Sequence, residues 1–206
     1  MKRGLFITLE GGEGAGKTTS LTFVRTFLEQ AGKEVIVTRE PGGTPLGEKI
    51  RALLLQGRDD MHADAELLLM FAARAEHLAR VVLPALTAGA YVVCDRFTDA
   101  TYAYQGGGRG VSAKRISALE DWVQQGLRPD LTLLLDIPID KGLKRAGQRS
   151  APDRFERETL EFFERVRVSY LAIAAQEPQR VKVIDAGQDF LDVERQLRSV
   201  LETLIR

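Results

Sequence analysis

Five short apolar runs, separated by longer segments with helical periodicity, constrain the fold of this 206-residue chain more than any other feature. The runs have the length of buried β-strands and cover residues 5–9, 35–38, 91–94, 131–135 and 181–184. Helical periodicity is clearest over residues 19–29, 46–55, 65–86, 112–125, 160–175 and 192–204. Strands rich in Val, Ile and Leu that alternate with helices predict an α/β fold, in which helices flank a five-stranded parallel sheet.

Charged residues and glycines follow directly after the predicted strands. They are residues 10–12 after the first strand, 39–43 after the second, Asp95 and Arg96 after the third, and Asp136 after the fourth. Ligands of open parallel sheets bind at the carboxyl ends of the strands. The sequence therefore predicts a binding site at this edge of the sheet.

Residues 11–18 match the phosphate-loop pattern G-x-x-x-x-G-K-S/T, directly after a predicted strand and directly before a predicted helix. Glycines let successive backbone N–H groups point at phosphate oxygens, and the helix presents its positive end to them. We expect Lys17 to reach the β and γ phosphates and the Thr18 hydroxyl to bind Mg²⁺. The loop predicts a nucleoside triphosphate site made by Gly11, Gly12, Glu13, Gly14, Ala15, Gly16, Lys17, Thr18 and Thr19.

The charge balance and the cysteine count limit the partners. Lys and Arg number 29, Asp and Glu also number 29, and the formal net charge is zero, which argues against bulk attraction to nucleic acid or an anionic membrane. Cys94 is the only cysteine, so an internal disulfide is excluded, and no apolar run has the length of a signal-peptide core or a membrane span. We expect a soluble cytoplasmic protein with small-molecule partners.

Three classes of phosphate-loop protein compete: a GTPase switch, a motor ATPase and a small-molecule kinase. The chain lacks the Asn-Lys-x-Asp guanine-binding motif, and its third strand ends in Cys94, Asp95 and Arg96 rather than in Asp-Glu. Arg96 lies beside Asp95, the acid expected to face magnesium, and this indicates that a second anion binds close to the triphosphate. This arrangement favours a kinase.

Five stretches, in order along the chain, resemble the thymidylate kinases of bacteria: residues 11–19, 38–44, 95–97, 103–110 and 128–132. The resemblance implies a nucleoside monophosphate kinase fold in one domain, residues 1–206, with a short basic lid at residues 141–156. It implies transfer of the γ-phosphoryl group of ATP to dTMP, with Mg²⁺ as cofactor. It also implies a homodimer, for which the long apolar helices at residues 65–86 and 160–175 are the candidate faces.

The resemblance places dTMP between the loop after the second strand, the helix with Arg74, and the segment after the third strand. Arg96 would clamp the acceptor phosphate, and Arg74 would bind a thymine carbonyl. Phe71 would stack on the base while Met70 contacts its edge, although Phe71 is also a candidate core residue. Arg51 either clamps the phosphate or covers apolar surface with its stem. The complete set is Glu13, Pro41, Arg51, Met70, Phe71, Arg74, Arg96, Thr101, Tyr104 and Gln105.

The catalytic assignments are Lys17, Arg96, Glu13 and Arg149. An acid facing polyphosphate needs a partner, and in relatives the acid at Glu13 contacts the acceptor sugar or the magnesium shell. The lid arginines Arg145, Arg149 and Arg154 would close over ATP, with Arg149 as the equivalent of an arginine finger; a solvated basic stretch is the alternative.

Asp95 would hold Mg²⁺ through water, together with Thr18. The acceptor is a phosphate and already anionic, so no strong base is needed. His62, His77 and Cys94 are therefore interpreted as structural. A kinase for dUMP or a cytidylate, and a nucleotide-binding regulatory protein, remain the alternative functions.

Overall fold

The computed structural model describes residues 3–56, 61–147 and 154–205. Within these ranges five parallel strands form one sheet in the order β2-β3-β1-β4-β5. The strands are β1 Phe6–Gly11, β2 Val35–Arg39, β3 Tyr91–Asp95, β4 Leu131–Asp136 and β5 Val181–Asp185. The predicted α/β fold and its five parallel strands are confirmed.

Helices connect the strands and cover both faces of the sheet. They are α1 Lys17–Gln30, α2 Pro45–Gln56, α3 Ala63–His77, α4 Leu83–Ala88, α5 Thr98–Thr101, α6 Ala113–Gln124, α7 Ile139–Ala146, α8 Leu160–Gln176 and α9 Phe190–Ile205, with π-helical segments at Leu78–Val82 and Tyr102–Gly108. In the described part of the chain no helix is long and apolar enough to cross a membrane.

Two helical regions differ from the sequence prediction. The predicted helix at residues 65–86 is divided into α3, a π-helical segment and α4, and the π turn comes just before Pro84, which has no N–H to donate to the preceding turn. The predicted lid at residues 141–156 begins inside a helix, because residues 141–146 belong to α7. The sequence pattern does not predict α7, because this helix is only 8 residues long and lies in a polar stretch.

Side chains of the central strands alternate between two apolar layers. Ile7 and Leu9 pack with α1 and α9 in one layer, where Leu28 and Leu197 are fully buried. Phe6 points to the opposite layer and packs with residues of the π-helical segment at Leu78–Val82 and of β3, including Cys94. Cys94 is thus a core residue.

The register brings three strand ends to one level. Leu9 of β1 and Arg39 of β2 both lie opposite Asp95 of β3. The chain therefore leaves β1, β2 and β3 side by side, into the phosphate loop, into the loop that begins at Glu40, and into the turn at Arg96. This edge holds the predicted site.

Candidate active site

A cavity lies at the carboxyl edge of the sheet, where the phosphate loop, α2, α3 and the segment after β3 meet. Its walls come from segments far apart in sequence. It is lined by Glu13, Gly14, Ala15, Gly16, Lys17, Thr18, Glu40, Pro41, Arg51, Leu55, Met70, Arg74, Asp95, Arg96, Phe97, Ala100, Thr101, Tyr104, Gln105, Ala146, Phe155 and Glu156.

The phosphate loop has the backbone geometry of an anion cradle. Gly14 and Gly16 have positive φ angles of 68° and 84°, and a Cβ on Gly14 would clash with the backbone, because it would lie 1.9 Å from the Gly142 carbonyl oxygen. Lys17 opens α1 and donates through Nζ to the carbonyls of Gly11 and Gly12 at 3.1 and 2.9 Å. Burial, and next the charge of Arg96, lower the pKa of Lys17, so the pocket favours an incoming anion.

The predicted loop residues divide into two groups. Residues 13–18 line the cavity, whereas Gly11 and Gly12 accept the Lys17 ammonium through their carbonyls. Thr19 is exposed on α1, one residue beyond the lining, because successive helical residues point about 100° apart. Its contact with ATP stays a prediction.

Arg96 enters the cavity from the end of β3 and pairs with the phosphate loop. Its Nη2 donates to Oε1 of Glu13 at 2.8 Å, and the hydroxyl of Tyr104 donates to the same oxygen at 2.9 Å. The guanidinium also lies over the Tyr104 ring, 4.8 Å from the centroid. Burial opposes the charge of Glu13, but Arg96 and Lys17 outweigh it and lower the pKa of this carboxyl. Arg96 is therefore the partner that the acid in the loop needs.

Asp95 and Thr18 suit a magnesium site. Among the described residues, Asp95 Oδ1 is buried without a hydrogen-bond partner. Both Asp95 and Thr18 line the cavity beside Lys17. No group of three His, Cys, Asp or Glu side chains in the described ranges forms a metal cage of its own. A cation here would therefore take most of its ligands from phosphate and water, as Mg²⁺ does.

Arg51 lies on α2 and faces the same cavity. Its Nη1 donates to the carbonyl of Pro41 at 2.9 Å, and the peptide bond between Glu40 and Pro41 is cis. Burial, and next the charge of Arg39, lower the pKa of Arg51. Arg51 and Pro41 both line the cavity that Lys17 lines.

Arg74 is fixed in the cavity wall by two side chains. Its Nε donates to Oε2 of Glu40 at 2.7 Å and its Nη2 donates to the Thr101 hydroxyl at 2.9 Å. Within the described part of the chain Nη1 is buried without a partner. A buried donor of this kind is normally paired, so Arg74 offers one N–H group to a ligand.

The assignment of Phe71 as the stacking ring needs correction. Phe71 is buried in an apolar cluster with Leu67, Val111 and Ile116, on the side of α3 that faces α6. Met70 lines the cavity in its place, and the aromatic side chains in the lining are those of Phe97, Tyr104 and Phe155. Adjacent residues of a helix face different directions. Phe71 packs against α6, and Met70 therefore faces the cavity.

The assignment of Arg154 to ATP also needs correction. Arg154 is 2% exposed and forms an ion pair with Glu66 of α3. Its Nε donates to the carbonyl of Leu54 at 2.9 Å, and its guanidinium lies 4.5 Å from the centroid of the Phe155 ring. This side chain anchors the start of the 154–159 segment and does not reach the cavity as a free cation.

The other two lid arginines have different positions. Arg145, near the end of α7, donates through Nη1 to the carbonyl of Ala186 at 2.9 Å, outside the lining of the cavity. Its neighbour Ala146 lines the cavity. Arg149 lies outside the described residues.

Two acids of the site were missed in the sequence. Glu40 accepts from Arg74 and also bonds to Nδ1 of His77 at 2.8 Å, so His77 is a buried structural residue, as expected. Glu66 is fully buried and accepts from the Gln105 amide at 2.8 Å as well as from Arg154. Helical spacing places Glu66 in the same turns as Met70, but only the fold shows which residues it meets.

A phosphate loop that faces a second group of arginines across one cavity, at the edge of a sheet ordered β2-β3-β1-β4-β5, defines a phosphate-loop nucleoside monophosphate kinase. Comparison with known proteins assigns the family. The sequence profile of thymidylate kinase matches residues 9–197, and the chain belongs to the thymidylate kinase family.

Individual thymidylate kinases are similar to this chain over nearly its whole length. A thymidylate kinase of Alkalilimnicola ehrlichii is 58% identical over 207 residues, which cover 100% of this chain and 95% of the relative. One of Pseudomonas putida (strain GB-1) is 57% identical over 203 residues, or 98% and 97% of the two chains. The crystal structure of thymidylate kinase from Ehrlichia chaffeensis superposes with a TM-score of 0.80 at 35% identity and covers 97% of this chain and 99% of that one. Enzymes of this family phosphorylate dTMP to dTDP with ATP, which confirms the family and the activity that the sequence resemblance implied.

Proposed function

We propose that this enzyme holds the phosphate of dTMP between Arg96 and Arg51 and the phosphates of ATP on the loop at residues 13–18. The observation that carries this proposal is that Lys17 and Arg96 face one cavity from two neighbouring strand ends. After burial, the charge of Arg96 is the second cause of the lowered pKa of Lys17, so the two cations are near enough to repel each other. Anions bound beside both of them would relieve this repulsion. A donor phosphate and an acceptor phosphate would do so in the geometry of transfer.

The thymine base lies against α3 and the segment after β3. The free Nη1 of Arg74 donates to a thymine carbonyl, Met70 and Phe97 contact the ring, and Thr101 and Gln105 supply polar groups at its edge. Tyr104, held by its bond to Glu13, lies where the sugar meets the phosphate and favours deoxyribose over ribose.

Catalysis depends on positioning and on neutralising charge as the phosphoryl group moves between two anions. Lys17 neutralises the donor side and Arg96 the acceptor side. Glu13 orients Arg96 and Tyr104 before substrates bind and then contacts the acceptor sugar. Arg149 supplies the remaining positive charge that neutralises the transferring phosphoryl group. No general base is required, because the acceptor oxygen already carries negative charge near neutral pH.

Mg²⁺ is the cofactor we propose; Thr18 would hold it through its hydroxyl and Asp95 through water. The unpartnered oxygen of Asp95 supports this assignment. When bound, the ion neutralises and orients the phosphates of ATP.

Three wider features belong to the same proposal. The chain is one domain with a lid at residues 141–156, and it works in the cytoplasm. It forms a homodimer through a groove that α3, α4 and α6 share, where Leu68, Leu83 and Trp122 are exposed. Exposed apolar residues grouped in one patch are typical of a protein interface.

An ADP-release assay with ATP, Mg²⁺ and a panel of nucleoside monophosphates tests the substrate. We expect dTMP to give the highest kcat/KM, with dUMP and CMP well below it. A preference for another monophosphate would contradict the base assignment. Turnover with none of them would favour a nucleotide-binding regulatory protein.

A further inference from the structure

Glu10 is a buried acid to which the proposed reaction gives no part. It is the last residue of β1 before the glycine that opens the phosphate loop, and its exposed fraction is 0%. Its two oxygens have different partners: Oε1 accepts from the backbone N–H of Phe97 at 2.7 Å, and Oε2 accepts from the hydroxyl of Tyr170 at 2.8 Å. A buried polar group is destabilising unless it is hydrogen-bonded, so these two bonds hold the carboxyl group in place.

Both partners of Glu10 belong to the surroundings of Arg96. Phe97 follows Arg96 directly, and Arg96 has a φ angle of 69°, a left-handed conformation that is unfavourable for a residue with a side chain. The bond from the Phe97 N–H to Glu10 comes immediately after this strained residue. Together with the bond from the Arg96 N–H to the Leu9 carbonyl at 3.0 Å, it fixes the backbone on both sides of Arg96.

Tyr170 connects Glu10 to the Arg96 side chain. Nη1 of Arg96 donates to the Tyr170 hydroxyl at 3.2 Å, and this hydroxyl donates to Glu10. The three groups form a chain of donors that runs from a cation to a carboxylate, and bonds in such a chain polarise one another. Burial, and next the charge of Glu10, raise the pKa of Tyr170, which therefore keeps its proton for this bond.

Packing alone does not explain a tyrosine at this position. Tyr170 is 3% exposed and contacts the Tyr104 ring edge to face, with centroids 6.4 Å apart. A phenylalanine would make the same ring contact, whereas only the hydroxyl reaches both Arg96 and Glu10. The hydroxyl thus has a role apart from the core.

We propose that Glu10 and Tyr170 are positioning residues that fix Arg96, in backbone and in side chain, for the acceptor phosphate. This inference rests on the proposed role of Arg96 at that phosphate. Neither residue touches dTMP; both act through the guanidinium. The consequence is specific: loss of either should weaken recognition of the phosphate of dTMP and leave recognition of thymidine, which lacks the phosphate, unchanged.

Tyr170→Phe and Glu10→Gln test the inference by calorimetric titration with dTMP and with thymidine, and by steady-state kinetics. The measurements are made above the pKa of Glu10, which burial raises to about 8. Tyr170→Phe keeps the ring, and Glu10→Gln keeps an acceptor for Phe97 but presents an NH₂ group to Tyr170. Tyr102→Phe is the matched control, because its hydroxyl donates to Glu120 at 2.6 Å, away from the cavity.

We expect both variants to bind dTMP about 10-fold more weakly, the effect of one lost bond to a charged group, and thymidine as the parent does. The double variant should lose little more than Tyr170→Phe alone, because the two residues act in one chain. Equal losses for dTMP and thymidine would show a general structural role and overturn the inference. Unchanged dTMP binding in Tyr170→Phe would also overturn it, and melting temperatures identify a variant that fails to fold.

Arg96→Lys separates this inference from the proposed function. If Arg96→Lys binds and phosphorylates dTMP as the parent does, the role of Arg96 itself is wrong. If Arg96→Lys loses dTMP affinity while Tyr170→Phe and Glu10→Gln keep it, only the positioning role is wrong.

Discussion

Glu13 and Arg96 form an ion pair at 2.8 Å that joins the phosphate loop to the end of β3. The two side chains lie 83 residues apart in sequence and share the Tyr104 hydroxyl as a third member, which donates to Glu13. Without substrates, this pair keeps Arg96 at the cavity wall. The acid therefore has a structural reason to lie in a loop that binds polyphosphate.

Glu13→Gln should lower kcat by about 10- to 100-fold, because the charge that holds Arg96 and Tyr104 is lost, and a hydrogen bond to a charged group contributes roughly 1.5–3 kcal/mol. Steady-state kinetics with dTMP and ATP measure the effect. Glu29→Gln is the control, since Glu29 forms an exposed pair with Arg25 on α1. An unchanged kcat in Glu13→Gln would remove Glu13 from the catalytic group.

Arg74→Lys should raise the KM for dTMP by about 10-fold or more while the KM for ATP stays close to that of the parent, because a lysine cannot replace a guanidinium that bonds to Glu40, Thr101 and the base at once. Kinetics with each substrate varied in turn measure both constants.

Arg80→Lys is the matched control for Arg74→Lys. Arg80 follows α3 in the π-helical segment, its side chain is 74% exposed, and it pairs with Glu76 at 3.4 Å. Equal rises in the KM values for dTMP and ATP in Arg74→Lys would contradict a role at the base.

The sequence could predict those parts of the site that are local in the chain. The phosphate loop is one contiguous motif, and Arg96 directly follows a predicted strand. Both could therefore be predicted at the carboxyl edge of the sheet from the sequence alone. The choice between Met70 and Phe71 could not, because neighbours on a helix differ in direction and only the position of α6 shows which of them is covered. The prediction of Arg154 at ATP treats it as part of a basic lid, and a lid pattern does not show that its buried partner Glu66 lies 88 residues away in sequence.

Arg154→Met should lower the free energy of unfolding by about 3–5 kcal/mol, because it leaves the buried Glu66 carboxylate without its main cation. Urea unfolding at neutral pH measures the loss.

The control for Arg154→Met is Arg115→Met. Arg115 pairs with Asp64 at 2.6 Å, but its side chain is 58% exposed, and an exposed pair contributes about 1 kcal/mol or less. Similar losses in the two variants would show that burial of the Glu66 pair has no special weight.

Leu68→Glu should convert the proposed dimer into a monomer, because it places a charge on the apolar groove between α3 and α6, where Leu68 is 56% exposed. Sedimentation velocity measures the change. Val168→Glu on α8 is the comparison, since Val168 is 63% exposed on the other candidate face. A monomer in Val168→Glu and a dimer in Leu68→Glu would assign the interface to α8 instead.

Stability should depend on pH through Glu10. Burial, reinforced by the charge of Asp99, raises the pKa of this carboxyl from 4.5 to about 8, so between these values the folded protein holds a proton that the unfolded chain releases. The stability that Glu10 contributes is therefore complete below pH 4.5 and is lost as the pH rises through about 8. Glu10→Gln removes this dependence, so the parent should lose stability relative to the variant as the pH rises, by up to about 1.4 kcal/mol per pH unit. Urea unfolding of both proteins across this range, without nucleotides, measures the difference; parallel profiles, or a parent that gains stability relative to the variant, would contradict the raised pKa.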